Sequence, residues 1–220
     1  MSLLEINKGN SIVATAECCP SCGGAMNYSE AKPNEFCVDL GCGQGTNAIR
    51  LSETVGKEGF VFGIDTSYGM IENSIKTTDG MGISNITFIK SAFEKLKLDD
   101  EIADLVISIC SINRSSDKQA VWNEIFRVLK KGGRFVISDI YSTSPVPDDY
   151  KNDPEAIAEC WAGAVTQDEY LKHLEMAGFP IIKIHEESAP YLKGKVMVTS
   201  WTVSGSRPIG HCSWCDKMKN

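Results

Sequence analysis

The chain has 220 residues, enough for one domain with a sizeable core. Its net charge is −7 and its pI about 5.1, with no basic block or aromatic-basic stripe, which argues against a nucleic-acid substrate. No apolar run approaches the roughly 18 residues of a membrane span, and MSLLEINKGN lacks the basic start and long apolar core of a signal peptide. Nine cysteines in such a chain point to a reducing cytoplasm and to thiol or metal chemistry rather than a disulfide scaffold.

Residues 1–30 read as a cysteine-rich N-terminal segment, 31–204 as the folded domain and 205–220 as a tail. Phe36 to Leu40 is an apolar strand that runs into the loop Gly41-Cys42-Gly43-Gln44-Gly45. An amphipathic helix follows from about Thr46 to Val55, then a second strand, Phe60 to Ile64, ending on Asp65. Ser67 to Thr77 is predicted helical, capped by Ser67 or Thr66, and Ile86 to Ile89 is a short strand. Asp104 to Ile109 is a stronger strand, and Asp117 to Leu129 carries apolar residues at helical spacing. Lys131-Gly132-Gly133 is expected to turn the chain into a strand from Arg134 to Asp139. Residues 141–165, rich in Pro and Asp at first, look like an insertion over the site. Thr166 with Glu169 makes a capping box for a helix to Ala177, and Gly178 ends it. Pro180 to His185 and Val196 to Val203 are expected to close as a hairpin pair. The alternation predicts an α/β fold with a doubly wound, mostly parallel sheet.

The run VDLGCGQG, with Asp65 about 20 residues beyond it, is the most informative feature. Strand, glycine loop, helix, strand and acid fall in the order of a nucleotide-binding βαβ unit. The loop lacks the third glycine of GxGxxG, where Thr46 stands, and there is no GK[ST] end. Asp39, two residues before the first glycine, suits a cationic amine rather than a pyrophosphate. S-adenosyl-L-methionine carries an α-ammonium and no phosphate. The loop resembles motif I of the class I methyltransferases, Rossmann-like in fold, and the resemblance implies that cofactor. The cofactor-binding set it implies is Asp39, Gly41, Cys42, Gly43, Gly45, Asp65, Thr66, Met70, Ala92, Phe93 and Ile109. Asp65 would accept hydrogen bonds from both ribose hydroxyls.

The second half sharpens the reading. DLVISICSIN (104–113), SSDKQAVWNEIFRVLKKGGRFVISDI (115–140) and NDPEAIAECWAGAVTQDEYLKHLEMAGF (152–179) are similar to runs of the arsenite methyltransferases. That resemblance implies that Cys110 and Cys160 hold trivalent arsenic as substrate, with Cys22 in SCGG as a third thiol. Arsenic(III) is soft and thiophilic, so sulfur ligands select it, and a thiolate-bound arsenic keeps a lone pair for attack. No general base is then needed, which suits a chain with three histidines. A small-molecule or metalloid substrate and a thiol reductant, either thioredoxin or a small thiol, are the implied partners, with no nucleic acid and no membrane.

The chain departs from that pattern in places. Ile109 stands where the family has Asn, and Arg114 replaces an apolar residue. Ala92 stands where many methyltransferases place an acid against adenine, so recognition there would rest on the Phe93 backbone or on Glu94. Three cysteines have a plainer reading, Cys110 as core at a strand end, Cys37 as core inside the first strand and Cys42 as packing within the loop, while a core role is less natural for Cys160 among Trp161, Ala162 and Gly163. Cys19-Pro20-Ser21-Cys22 and Cys212-Ser213-Trp214-Cys215 are two CxxC pairs, but their wide separation fits a ribbon-type zinc site poorly. Two other functions stay open: a methyltransferase for another small acceptor, and a thiol-based metalloid-binding protein without turnover.

Overall fold

A computed structural model of the protein describes residues 4–8 and 24–210. Among these, nine strands form one sheet and six α-helices pack on it. Strands β2 (Phe36–Leu40), β3 (Phe60–Asp65), β4 (Ile86–Lys90), β5 (Ala103–Ile109) and β6 (Leu129–Ser142) run parallel. With β1 (Glu5–Lys8), β7 (Ile181–Glu187) and β9 (Val196–Ser206) the order is β1-β7-β9-β6-β5-β2-β3-β4, and β8 (Tyr191–Lys193) pairs with β9. β9 is antiparallel to both β6 and β7. The doubly wound, mostly parallel sheet expected from the alternation is therefore present.

Period-2 alternation sends successive strand residues to opposite faces. Cys37, Leu105 and Ile107 join one core with Ala25 of α1 (Gly24–Tyr28), Leu51 of α2 (Thr46–Val55) and Ile71 of α3 (Tyr68–Met81). Val38, Val106 and Phe135 join the other, with Trp122 of α4 (Lys118–Val128) and Leu174 of α6 (Gln167–Ala177). Trp122 is fully buried and meets Phe135, Tyr170 and Phe179 edge to face. Cys37 is core, and burial pushes its thiol up to about 12.

Local signals hold at most boundaries. Ser67 caps α3 by accepting from Met70 N, Thr166 and Glu169 form a reciprocal capping box, and Gly178 ends α6 at φ 105°. Three expectations needed correction. Lys131-Gly132-Gly133 is not a turn ahead of a new strand: β6 begins at Leu129 and carries a bulge there. Ala103 faces Leu129 while Leu105 faces Arg134, and Gly132 N and Gly133 O exchange hydrogen bonds with Arg207, both at 2.8 Å. β7 and β9 pair as expected, but β8 lies between them and makes the tight hairpin with β9 through Gly194. β9 also runs past Val203 and Ser204 to Ser206, and Arg207 behind it is anchored. The Arg207 guanidinium donates to Phe126 O, Arg127 O and Leu129 O at the end of α4, pairs with Glu101 at 2.7 Å and lies over the Phe126 ring. β1, α1, β8 and the short α5 (Pro154–Ala158) are elements the sequence pattern did not call.

Arg207 satisfies carbonyls that the end of α4 leaves without helical partners. Arg207→Ala is expected to destabilise the protein by about 2 kcal/mol. Urea unfolding should show a lower midpoint with an unchanged slope.

Candidate active site

Helix and strand order puts the C-terminal ends of β2 and β5 side by side, where the winding of the sheet reverses direction. Ligands of open α/β sheets bind in such crevices. The glycine loop leaves β2 here, and Cys110 follows β5 directly.

The loop is braced from below. Gly41 N and Cys42 N both donate to Ile64 O, at 2.8 and 2.9 Å. Asp65 at the end of β3 accepts from Gly43 N at 3.0 Å and from Ser67 N at 2.8 Å. Both Asp65 oxygens are thus engaged by the backbone, and each keeps a further lone pair. Gly41 and Gly43 answer different constraints. A Cβ on Gly41 (φ 81°) would sit 1.8 Å from Ser111 Oγ, whereas one on Gly43 (φ 52°) would meet nothing within 4 Å. Gly41 is required by the fold, while Gly43 faces open space. Cys42 points inward, is 7% exposed and lies against the Gly63 backbone, so its side chain packs under the loop.

Asp39 is buried beside the loop. Burial raises its carboxyl to about 7; the Ala48 backbone amide works against that shift, and Asp65 adds to it. Its Oδ2 has no hydrogen-bond partner among the described residues. Thr66 and Met70 are exposed at the start of α3; Ala92 is exposed, and Phe93 is buried with its ring edge near Gly41. Glu94 accepts from Ser115 Oγ. Ile109 is half-buried at the end of β5.

The two described candidate thiols sit in unusual backbone. Among the described residues only five non-glycines have positive φ, and Cys110 (54°) and Cys160 (64°) are two of them. Such positions cost of order 1 kcal/mol or more and persist where surrounding structure over-determines them. Cys110 N donates to Ser138 O at 2.9 Å. Cys160 follows α5, and the Arg114 guanidinium donates to its Sγ at 3.8 Å. Cys160 lines a cavity of about 620 Å³ between the insertion and the start of α4, whose wall includes Arg114, Lys118, Val146, Ile157 and Glu169. Behind both thiols lies a buried polar layer. Asn113 Nδ2 donates to Asp139 Oδ1 (2.8 Å), Ile140 O (2.7 Å) and Cys160 O (3.2 Å). Burial raises Asp139 to about 8, and its Oδ2 and the Tyr170 hydroxyl have no partner among the described residues. Cys22 and both CxxC pairs lie outside the described residues. Among those described, no three His, Cys, Asp or Glu side chains are grouped as a metal site. No helix among them is long and apolar enough to cross a membrane.

Residues 31–178 match the family described as Methyltransferase domain. The chain belongs to that family. An arsenite methyltransferase of Halobacterium salinarum is 33% identical over 180 residues, covering 82% of this chain and 45% of that protein. One of Homo sapiens is 34% identical over 199 residues, covering 86% and 51%. The solved arsenic(III) S-adenosylmethionine methyltransferase of Chlamydomonas reinhardtii matches with a TM-score of 0.72 at 30% identity, over 83% of this chain and 66% of that one. The chain spans about half the length of the curated relatives it matches. The resemblance to arsenite methyltransferases carried by the runs around Cys110 and Cys160 thus extends along most of this chain.

The cofactor of this methyltransferase domain is S-adenosyl-L-methionine, and the loop fits it. A buried carboxylate oxygen without a partner at Asp39 is matched to a cationic amine, and the open space over Gly43 admits a ligand to the backbone. Ser111 and Asn113 are residues of this crevice that the sequence reading passed over. Both follow Cys110 as polar residues alternating with Ile112 just past the apolar strand, which is the available signal.

Gly43→Ala should cost only about 1 kcal/mol of stability yet weaken cofactor binding. Gly41→Ala should instead lower the melting temperature strongly, so calorimetric binding and thermal unfolding should separate the two. Asp39 and Asp139 have folded values raised above the ordinary carboxylate range. Their stabilising contribution is fully present below about pH 4 and is lost as pH rises through about 7 and about 8 respectively. The ligand-free protein should therefore lose stability over that window. Asp39→Asn should melt higher than wild type at pH 8, and equally at pH 4.

Proposed function

We propose that this domain transfers a methyl group from S-adenosyl-L-methionine to trivalent arsenic held as substrate by Cys110 and Cys160, with Cys22 as the third thiol. The observation that carries the reading is the shared left-handed backbone of Cys110 and Cys160, one at the crevice where the cofactor loop ends and the other on the cavity wall. Core cysteines have no need of strained backbone; ligands held in one fixed orientation do. The relatives named as arsenite methyltransferases support the same substrate.

When bound, the cofactor supplies an electrophilic methyl group on a positively charged sulfur. Asp39 would pair with its ammonium, Asp65 with its ribose, and the Gly41–Gly45 loop with its chain. Cys110 and Cys160 replace hydroxide on the arsenic and orient its lone pair, so that acceleration comes from positioning. The buried layer of Asn113, Asp139 and Tyr170 keeps the thiols' surroundings fixed. The methyl leaves the sulfonium as its sulfur keeps the bonding pair, and the arsenic is left two electrons oxidised, so a thiol reductant, itself oxidised to a disulfide, would return it to the trivalent state.

Incubation with arsenite, cofactor and thiol should yield methylated arsenic by mass spectrometry. Cys110→Ser and Cys160→Ser should each abolish that product with cofactor affinity intact, because a hydroxyl is a poor ligand for a soft centre. Cys22→Ser should impair the first methylation more than a later one. Full arsenite methylation by the double variant Cys110→Ser, Cys160→Ser would overturn the arsenic site and leave methylation of another small acceptor. Asp65→Ala should lower cofactor affinity at least about tenfold, since one hydrogen bond to a charged group contributes about 1.5–3 kcal/mol.

A further inference from the structure

We infer that Asn113 is a positioning residue that sets the spacing between the Cys110 and Cys160 thiols. The inference rests on the arsenic reading above and names what makes two thiols act as one chelate.

Cys110 and Cys160 belong to different parts of the chain. Cys110 ends a central strand, whereas Cys160 lies within the insertion. The insertion is tied to the sheet at its two ends: Ser142 N donates to Val165 O, and Thr143 N donates to Met197 O. Its middle is held by the Asn113 amide. Asn113 lies three residues after Cys110 in a single 3₁₀ turn, Ile112–Arg114. From there its NH₂ group reaches β6 at Asp139 and Ile140 and crosses 47 residues of sequence to Cys160 O. Asn113 is 4% exposed, so these bonds are sheltered from water. A second contact fixes the same junction: a Cβ on Gly163 would lie 2.0 Å from Asn113 O, so the turn after Cys160 rests directly on the Asn113 backbone.

The residue type follows from this geometry. Three acceptors converge on one point, and a neutral NH₂ group supplies donors without charge. An aliphatic residue would remove the side-chain donor shared by Ile140 O and Cys160 O and leave Asp139 Oδ1 with the Ile140 amide alone. An aspartate would set a second carboxylate against Asp139. Chelation by two thiols makes the second bond intramolecular, and that advantage disappears when the two ends cannot reach one centre together. Asn113 thus converts two separate cysteines into one bidentate site.

The test compares a probe that needs both thiols with one that needs a single thiol. Phenylarsonous acid has two exchangeable oxygens and bridges two thiols; iodoacetamide alkylates one. In the full chain carrying Cys18→Ser, Cys19→Ser, Cys212→Ser and Cys215→Ser, the wild-type background for this test, which removes the other close thiol pairs, Asn113→Ala should weaken phenylarsonous acid binding by about a hundredfold. Alkylation rates at Cys110 and Cys160, read by mass spectrometry, and S-adenosyl-L-methionine affinity should stay within about threefold of wild type. A defect in folding alone would move all three measurements together. Gly163→Ala, which disturbs the junction from the other side with the amide intact, should show the same split. If both variants bind phenylarsonous acid as wild type does, the spacing role is wrong and the arsenic site stands. If wild type itself gains nothing over Cys160→Ser in binding that probe, the arsenic reading fails, and this inference with it.

Discussion

The adjacency of β2 and β5 is the constraint on which the site depends. In a doubly wound sheet the chain winds outward in both directions from this pair, so the loops after the two strands diverge and leave a crevice. The same step carries the glycine loop on one side and the turn Cys110–Arg114 on the other. Ser111 closes the joint between them, because its side chain fills the space that any residue larger than glycine at 41 would need. The glycine loop and the turn that begins at Cys110 are therefore held by one packed contact.

Burial of polar groups then gives the site its electrostatic character. Asp39 near the end of β2 and Asp139 within β6 are both buried, and burial raises both above the ordinary carboxylate range. Each retains an oxygen without a partner among the described residues. Such groups destabilise a fold that has no use for them. Beside the loop, Asp39 would be matched to a cation in the proposed reading. Beneath the thiols, Asp139 is an anchor for Asn113 and for its own strand.

The insertion and the C-terminal strands complete the site from a distance. The insertion has its own small core of Ile140, Ala156, Trp161 and Val198, which packs it against the end of β6 and the start of β9 rather than in the main core. Stability and site geometry are thus separable here: the two large cores hold the sheet, and the small one with Asn113 holds Cys160. At the opposite end, Arg207 caps α4 and stiffens the bulge at Gly132, keeping the β6 register through to Asp139.

The sequence by itself determined the elements whose causes are local. The apolar strands, the glycine loop, the Thr166 capping box and the Gly178 stop are all set by residues within a few positions of each other, and they stand where the pattern puts them. It also marked Cys110 and Cys160 as a pair, through runs resembling one family. Only the tertiary structure decided what depends on contacts between distant residues. Lys131-Gly132-Gly133 reads as a turn until Arg207 pairs with it, and Arg207 reads as tail until α4 offers it three carbonyls. β1 is too short and too polar to be called without β7 beside it. Asn113 looks like one more polar residue at a strand end until the fold brings Asp139, Ile140 and Cys160 around its amide. A hydrogen bond needs geometry that composition and spacing do not contain, so the residues that join elements emerge only when the chain is folded.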